Sequence, residues 1–201
     1  MTQVTNAGFD LWPGRLDPAA QRALLDEILT RLDDAPPYRP ITPGGKPMSV
    51  EMSNFGPWGW VTDAAGYRYE AAHPLTGRPW PDIPPALLAL WADHADAAGP
   101  PDACLVNIYR AGARMGLHQD RDEADFRWPV LSVSLGDTAI FRLGGTRRND
   151  PTRSLRLSSG DLCRLSGEGR LAFHGVDRTL SGSSTLVPGG GRINLTLRRA
   201  G

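Results

Sequence analysis

The stretch "PVLSVSLGDTAIFRL", Pro129 to Leu143, decides the fold class. Serines interleave with Val133 and Leu135, the Gly136-Asp137 pair interrupts the run, and Ala139 to Leu143 resume it. Short apolar-polar alternation closed by turn residues reads as strand, turn, strand. Working outward, "ACLVNIY" (103–109), "RMGLHQD" (114–120), "RSLRL" (153–157), "DLCRLS" (161–166), "LAFHGV" (171–176) and "RINLTLR" (192–198) share the pattern. "GGTRRNDP" and "SSGD" supply further turns. With the two runs of the opening stretch this makes eight strands at regular spacing, which predicts an all-β sandwich or barrel.

Upstream the pattern changes. "DPAAQRALLDEILTRL" offers Asp17 as N-cap and Pro18 at the first helical position, then sets Leu24, Leu25, Ile28, Leu29 and Leu32 on one face. That is an amphipathic helix. Proline, glycine and aromatics dominate from Pro36 to Pro81 and predict short strands and exposed loops. "PPALLALWADHADAAG" predicts a second helix stopped at Gly99. The fold class is therefore mainly β with flanking helices packed outside the strands.

The 201 residues suit one integrated domain with one substantial core. Residues 1–101 would supply helices and a cover, and residues 102–201 the strand-rich core. Twenty-two basic and 22 acidic residues cancel. Zero net charge argues against binding nucleic acid by bulk electrostatics, but nearly all the basic residues are arginine, which suits bidentate recognition of phosphate and carboxylate. No apolar run is long enough for a membrane span, and "MTQVTNAGFD" lacks the basic start and apolar stretch of a signal peptide. A cytoplasmic protein is expected. Cys104 and Cys163 are too few for a disulfide framework and sit in apolar strands, as buried free thiols do.

Three constellations carry chemistry. His118 and Asp120 stand at i and i+2, on one face of a strand, where His174 from a later strand can meet them. Two imidazoles and a carboxylate leave the opposite face of a metal open, as in non-haem Fe(II) oxygenases. Zinc would accept the same ligands. Calcium is disfavoured, because "DRDEADFRWPVL" lacks the loop glycine and final glutamate of an EF-hand. In "RINLTLR", Arg192, Asn194, Thr196 and Arg198 share one face and Ile193, Leu195 and Leu197 the other. Two arginines aimed into a barrel could each grip a carboxylate, with Asn107 and Tyr109 adding neutral hydrogen bonds. Finally, Phe55, Trp58, Trp60, Tyr67 and Tyr69 either cap the core or offer a stacking surface for an unpaired base. Arg147 and Arg148 could then reach phosphates.

These residues resemble the AlkB family of Fe(II)/2-oxoglutarate-dependent nucleic-acid dealkylases. The resemblance runs in order through "TPGGKPMSVEMSNFG", "GW", "GYRY", "PDACLVNIYRAGARMGLHQDRDE", "SVSLG", "GGTRRNDP", "FHG" and "RINLTLR". It implies a double-stranded β-helix (jelly-roll) core with an N-terminal nucleotide-recognition lid. It further implies His118, Asp120 and His174 as iron ligands, and Asn107, Tyr109, Arg192 and Arg198, with Asn194 on the same face, around 2-oxoglutarate. Trp60 would stack the flipped base against His118, and Tyr67, Tyr69, Asp122 and Arg148 would contact the substrate. Ile108 departs from the family's pattern but should point away from the cosubstrate. Phe55 in a lid position and Arg164 before the second histidine strand leave substrate range open.

The implied activity is oxidative demethylation of bases such as 1-methyladenine and 3-methylcytosine, using Fe(II), 2-oxoglutarate and O2 and releasing formaldehyde. The implied partner is alkylated single-stranded DNA, with RNA as an alternative, approached by a monomer. Two other classes keep part of the pattern: an Fe(II)/2-oxoglutarate hydroxylase of protein or small molecules, and a noncatalytic nucleic-acid-binding module. Within "LHQDRDE" (117–123), strand alternation should turn Asp122 toward the base, Gln119 and Arg121 to the other side, and Glu123 to solvent.

Overall fold

The computed structural model describes residues 3–6 and 8–201. Met1, Thr2 and Ala7, part of the stretch read for a signal peptide, lie outside the described residues. The first hundred residues hold β1 (Gln3–Asn6), β2 (Phe9–Trp12), α1 (Pro18–Asp34), β3 (Glu51–Phe55), β4 (Gly59–Asp63), β5 (Gly66–Glu70) and α2 (Pro85–His94). The remainder holds β6 (Ala103–Tyr109), β7 (Met115–His118), β8 (Val130–Gly136), β9 (Thr138–Leu143), β10 (Arg153–Leu157), β11 (Leu162–Leu165), β12 (His174–Leu180) and β13 (Arg192–Arg198).

Two antiparallel sheets face each other. The major sheet runs β1-β2-β11-β8-β13-β6-β3, the minor sheet β10-β9-β12-β7, and β4-β5 form a separate hairpin. This is the jelly-roll core. The opening stretch spans both layers: β8 lies in the major sheet and β9 in the minor one. The chain changes sheet at Gly136, whose φ of +86° suits glycine, and a Cβ there would sit 2.4 Å from the Gly191 carbonyl.

Strand alternation gives the major sheet two different faces. Cys104, Val106 and Ile108 of β6 and Ile193, Leu195 and Leu197 of β13 pack under α1 and α2 in one apolar cluster. From α1 come Leu24, Leu25, Ile28 and Leu32. Leu29 was expected on that face but is 37% exposed. Asp17 caps α1 by accepting from Ala20 N at 2.8 Å, with Pro18 next. The second helix ends at His94, before Gly99, because Asp96 already takes a φ of +53°. On the other face, Leu105 and Tyr109 meet Phe141, Leu143, Leu157 and Val176 between the sheets.

The amino-terminal hundred residues do not merely cover this core. β3 pairs with β6, β2 pairs with β11 and β1 pairs with β2, so three of its strands extend the major sheet. Phe55, placed above in a lid, is a fully buried residue of the helix-covered cluster. It is corrected to a core residue, since its strand carries it into the major sheet. No helix among the described residues is long and apolar enough to cross a membrane.

Candidate active site

The space between the sheets opens as a cavity of ≈ 800 Å³. His118 at the end of β7 and His174 at the start of β12 are directly paired across the minor sheet, and Asp120 follows just beyond β7. The ligand atoms of the three lie within 4.8 Å of one another. Asp120 Oδ1 is 3.7 Å from His118 Nε2, and Oδ2 is 3.6 Å from His174 Nε2.

The two histidines are oriented alike. His118 Nδ1 lies 2.9 Å from Gly116 O and His174 Nδ1 3.0 Å from Ala172 O, in each case the carbonyl two residues back. A carbonyl can only accept, so each Nδ1 carries the proton and each Nε2 turns a lone pair to the shared centre. Burial pushes the His174 imidazolium down to about 4, against the opposing pull of Asp120, which keeps the ring neutral at ordinary pH. For Asp120, burial would raise the carboxyl, but Arg198 together with His174, His118 and Arg170 holds it well below the usual carboxylate range. Arg198 Nη2 donates to Asp120 Oδ1 at 2.7 Å. Two imidazoles and an ionised carboxylate are a donor set that fits a divalent transition metal.

Deeper in the same cavity lies Arg192, only 1% exposed. Its guanidinium donates to Ser134 Oγ at 2.7 Å, Leu157 O at 3.2 Å and Asp137 O at 3.4 Å, all neutral oxygens. Its Nε has no partner, and no ion pair forms to it among the described residues. Asn107 Oδ1 is likewise buried without a partner. Burial pushes the Tyr109 phenol up to about 12, partly offset by Arg192, so its hydroxyl remains a donor. Buried polar groups without partners are costly. The unpaired Arg192 charge and the Tyr109 donor together mark a place for an anionic guest that accepts hydrogen bonds. Asn194 differs, because its amide donates to Ser132 Oγ and Val133 O while its Oδ1 accepts from Thr196.

The mouth is formed by the β4-β5 hairpin and the segment after β7. Trp60 and Tyr67 stack with ring centroids 5.6 Å apart and planes 18° from parallel. Trp60 Nε1 donates to Asp122 Oδ2 at 2.7 Å, and Tyr67 is 53% exposed. Arg148 reaches the rim over the Phe173 ring. Trp60, Tyr67, Asp122 and Arg148 therefore line one opening. Tyr69 does not line it: its hydroxyl donates to Glu123 Oε1 at 2.6 Å, behind the metal-ligand candidates.

Further expectations change. Glu123 is not solvent-facing but buried, with Oε2 accepting from Arg170 Nη2 at 3.0 Å, because the strand ends at His118 and alternation stops there. For the same reason Gln119 does not follow a strand face; it reaches Leu171 O and Thr146 O. Arg164 lies away from the cavity, bonded to Asp10 and His94 O. Trp58 sits in a bridge to Ala103 and does not join the stack at the mouth. Arg170, buried beside Asp120, was missed altogether. It sits in "SGEGR", a turn with no periodic signal.

Comparison with known proteins agrees with this geometry. Residues 8–198 match the family described as the 2OG-Fe(II) oxygenase superfamily. The chain is 68% identical to the alpha-ketoglutarate-dependent dioxygenase AlkB homolog of Caulobacter vibrioides, covering 96% of this chain and 88% of that protein. It is 44% identical to the alpha-ketoglutarate-dependent dioxygenase AlkB of Escherichia coli, over 90% of this chain and 86% of that one. The solved structure of OsALKBH1 superposes with a TM-score of 0.84 at 29% identity, over 99% of this chain and 100% of that one.

Proposed function

This chain belongs to the AlkB family of 2OG-Fe(II) dioxygenases, and from that premise we propose that it removes N-alkyl groups from DNA bases by oxidation, restoring the base and releasing formaldehyde. The observation that carries the assignment of residues is the single cavity with two ends. One end gathers His118, Asp120 and His174, and the other buries the unpaired charge of Arg192.

His118 Nε2, His174 Nε2 and the Asp120 carboxylate would hold Fe(II). The 2-oxoglutarate carboxylate far from iron would pair with Arg192, with Tyr109 donating to it. Asn107 and Arg198 would flank the iron end, and Asn194 would serve chiefly by shaping the wall. Bound iron with 2-oxoglutarate and O2 supplies the oxidation: the alkyl carbon gains one oxygen atom, and the other leaves in succinate alongside carbon dioxide. The chain's own part is to position and to shield. The Trp60–Tyr67 stack would provide an aromatic platform for a base taken out of the helix, with the His118 ring, the most exposed of the three candidate ligands, packed against its other side. Asp122, exposed at the rim, would complement the positive charge that alkylation places on 1-methyladenine or 3-methylcytosine. Tyr69 would act on substrate only through the hairpin, and Arg148 would meet a phosphate.

Unpaired bases suit this mouth because extrusion from a duplex takes a few kcal/mol, a cost that alkylation of the pairing edge lowers and a single strand avoids. Single-stranded DNA is therefore the proposed substrate, with RNA second. One chain supplies every group named, which supports action as a monomer, and the buried free thiols Cys104 and Cys163 suit a reducing compartment such as the cytoplasm.

The test is incubation with Fe(II), 2-oxoglutarate and oligonucleotides carrying 1-methyladenine or 3-methylcytosine, with restored base read by mass spectrometry in single-stranded DNA, duplex DNA and RNA. Single-stranded DNA should be repaired fastest, and Trp60→Ala should abolish repair on all three. Full turnover by Trp60→Ala would instead favour a hydroxylase of other substrates.

A further inference from the structure

Taking Asp120 as the metal carboxylate, we infer that Arg170 is a positioning residue that fixes the Asp120 segment and, through Glu123 and Tyr69, ties the seating of the β4-β5 hairpin to the metal site. Arg170 is 2% exposed and uses its planar fork on three acceptors. Nη1 donates to Asp120 O at 2.6 Å, Nε to Trp128 O at 2.7 Å and Nη2 to Glu123 Oε2 at 3.0 Å. Residues 119–128 contain no strand or helix of their own. The backbone that presents Asp120 is thus held from its carbonyl side by one rigid cation.

A second grip comes from β13. Arg198 Nη2 donates to Asp120 Oδ1, and Arg198 Nε faces Glu123 Oε1 at 3.4 Å. Both guanidiniums that hold Asp120 therefore meet on the Glu123 carboxylate. The Tyr69 hydroxyl donates to the same carboxylate. Tyr69 is paired directly with Trp60 in the hairpin register, and Trp60 bonds Asp122. Seating the aromatic platform and completing the Glu123 network are then one event. A buried ion pair adds little net stability compared with apolar packing, and its use here is direction: three nitrogens in one plane, each aimed at a fixed oxygen.

Tyr69→Phe removes one oxygen and no bulk, Arg170→Lys keeps the charge but loses the fork, and Arg170→Met loses both. Three readouts apply to each: Co(II) affinity, the visible band of the anaerobic Fe(II)–2-oxoglutarate complex, and hydrogen exchange of residues 59–70 in the metal-free protein. Arg170→Lys is expected to weaken Co(II) binding about 10-fold and to shift the band. Tyr69→Phe is expected to speed hairpin exchange, to shift the band, and to raise the succinate formed per base restored. Where Arg170→Met does not fold, the other two variants decide. Wild-type metal affinity and an unmoved band in Arg170→Lys would overturn the positioning role. Faster hairpin exchange in Tyr69→Phe with an unmoved band would overturn the link to the hairpin. A wild-type protein that shows no band at all would instead count against the iron and 2-oxoglutarate assignment itself.

Discussion

Arg192 is buried with only neutral oxygens around its charge. A hydrogen bond from a charged donor is worth ~1.5–3 kcal/mol, so Arg192→Met should raise the 2-oxoglutarate KM roughly 10- to 100-fold. The rise in melting temperature on adding 2-oxoglutarate to wild type should vanish in the variant. Steady-state kinetics and a thermal scan check both. Glu123 makes the opposite kind of case. Its carboxylate pairs with Arg170 where both side chains are almost wholly buried. Glu123→Ala would strand that cation and should destabilise the protein by ~3–5 kcal/mol, measured by urea unfolding. The two residues also differ in legibility. Arg192 and Arg198 could be read from "RINLTLR", because alternation along a strand puts both on one face. Glu123 and Arg170 could not, since they meet across 47 positions and neither stands in a periodic run.

Among the elements, the β7-β12 pair sets the spacing of the two histidines proposed to hold iron. His118 and His174 face each other in register, and next to His174 stands Gly175, where a Cβ would fall 2.6 Å from Met115 O and 2.8 Å from Gly116 O. Gly175→Ala should push the two strands apart, lowering stability by about 1–3 kcal/mol and weakening Co(II) binding by an order of magnitude or more. Chemical denaturation and metal titration measure the two effects. Which strands exist was legible from period-two runs, and α1 from its cap and apolar spacing. Where β7 stops was not: "RMGLHQD" continues to alternate in sequence, but the chain leaves the sheet after His118. That early end is why Asp122 turns to the mouth while Glu123 turns inward.

At the scale of the molecule, neither half is a unit of its own. β1, β2 and β3 complete the major sheet, and α1 and α2 cover its outer face against β6, β8 and β13. The expected boundary near residue 101 therefore separates sequence patterns rather than cores. Residues 102–201 expressed alone should fail to fold, and the whole chain should unfold in one cooperative transition by calorimetry. Two resolved transitions would indicate separable halves. The sandwich itself was legible because eight alternating runs in a row leave few alternatives. The sheet order was not, because strand neighbours such as β2 and β11 lie far apart in sequence and their pairing depends on tertiary packing. The charge balance is also uneven along the chain, since the acidic excess lies in residues 1–101 and the basic excess in the remainder, which supplies most of the cavity lining. The measurement that tests oxidative dealkylation most directly is product stoichiometry on single-stranded DNA containing 1-methyladenine, with limiting 2-oxoglutarate and added Fe(II). One formaldehyde and one restored adenine per succinate, all lost in Asp120→Ala, is the expected result, and succinate without formaldehyde or restored base would contradict it.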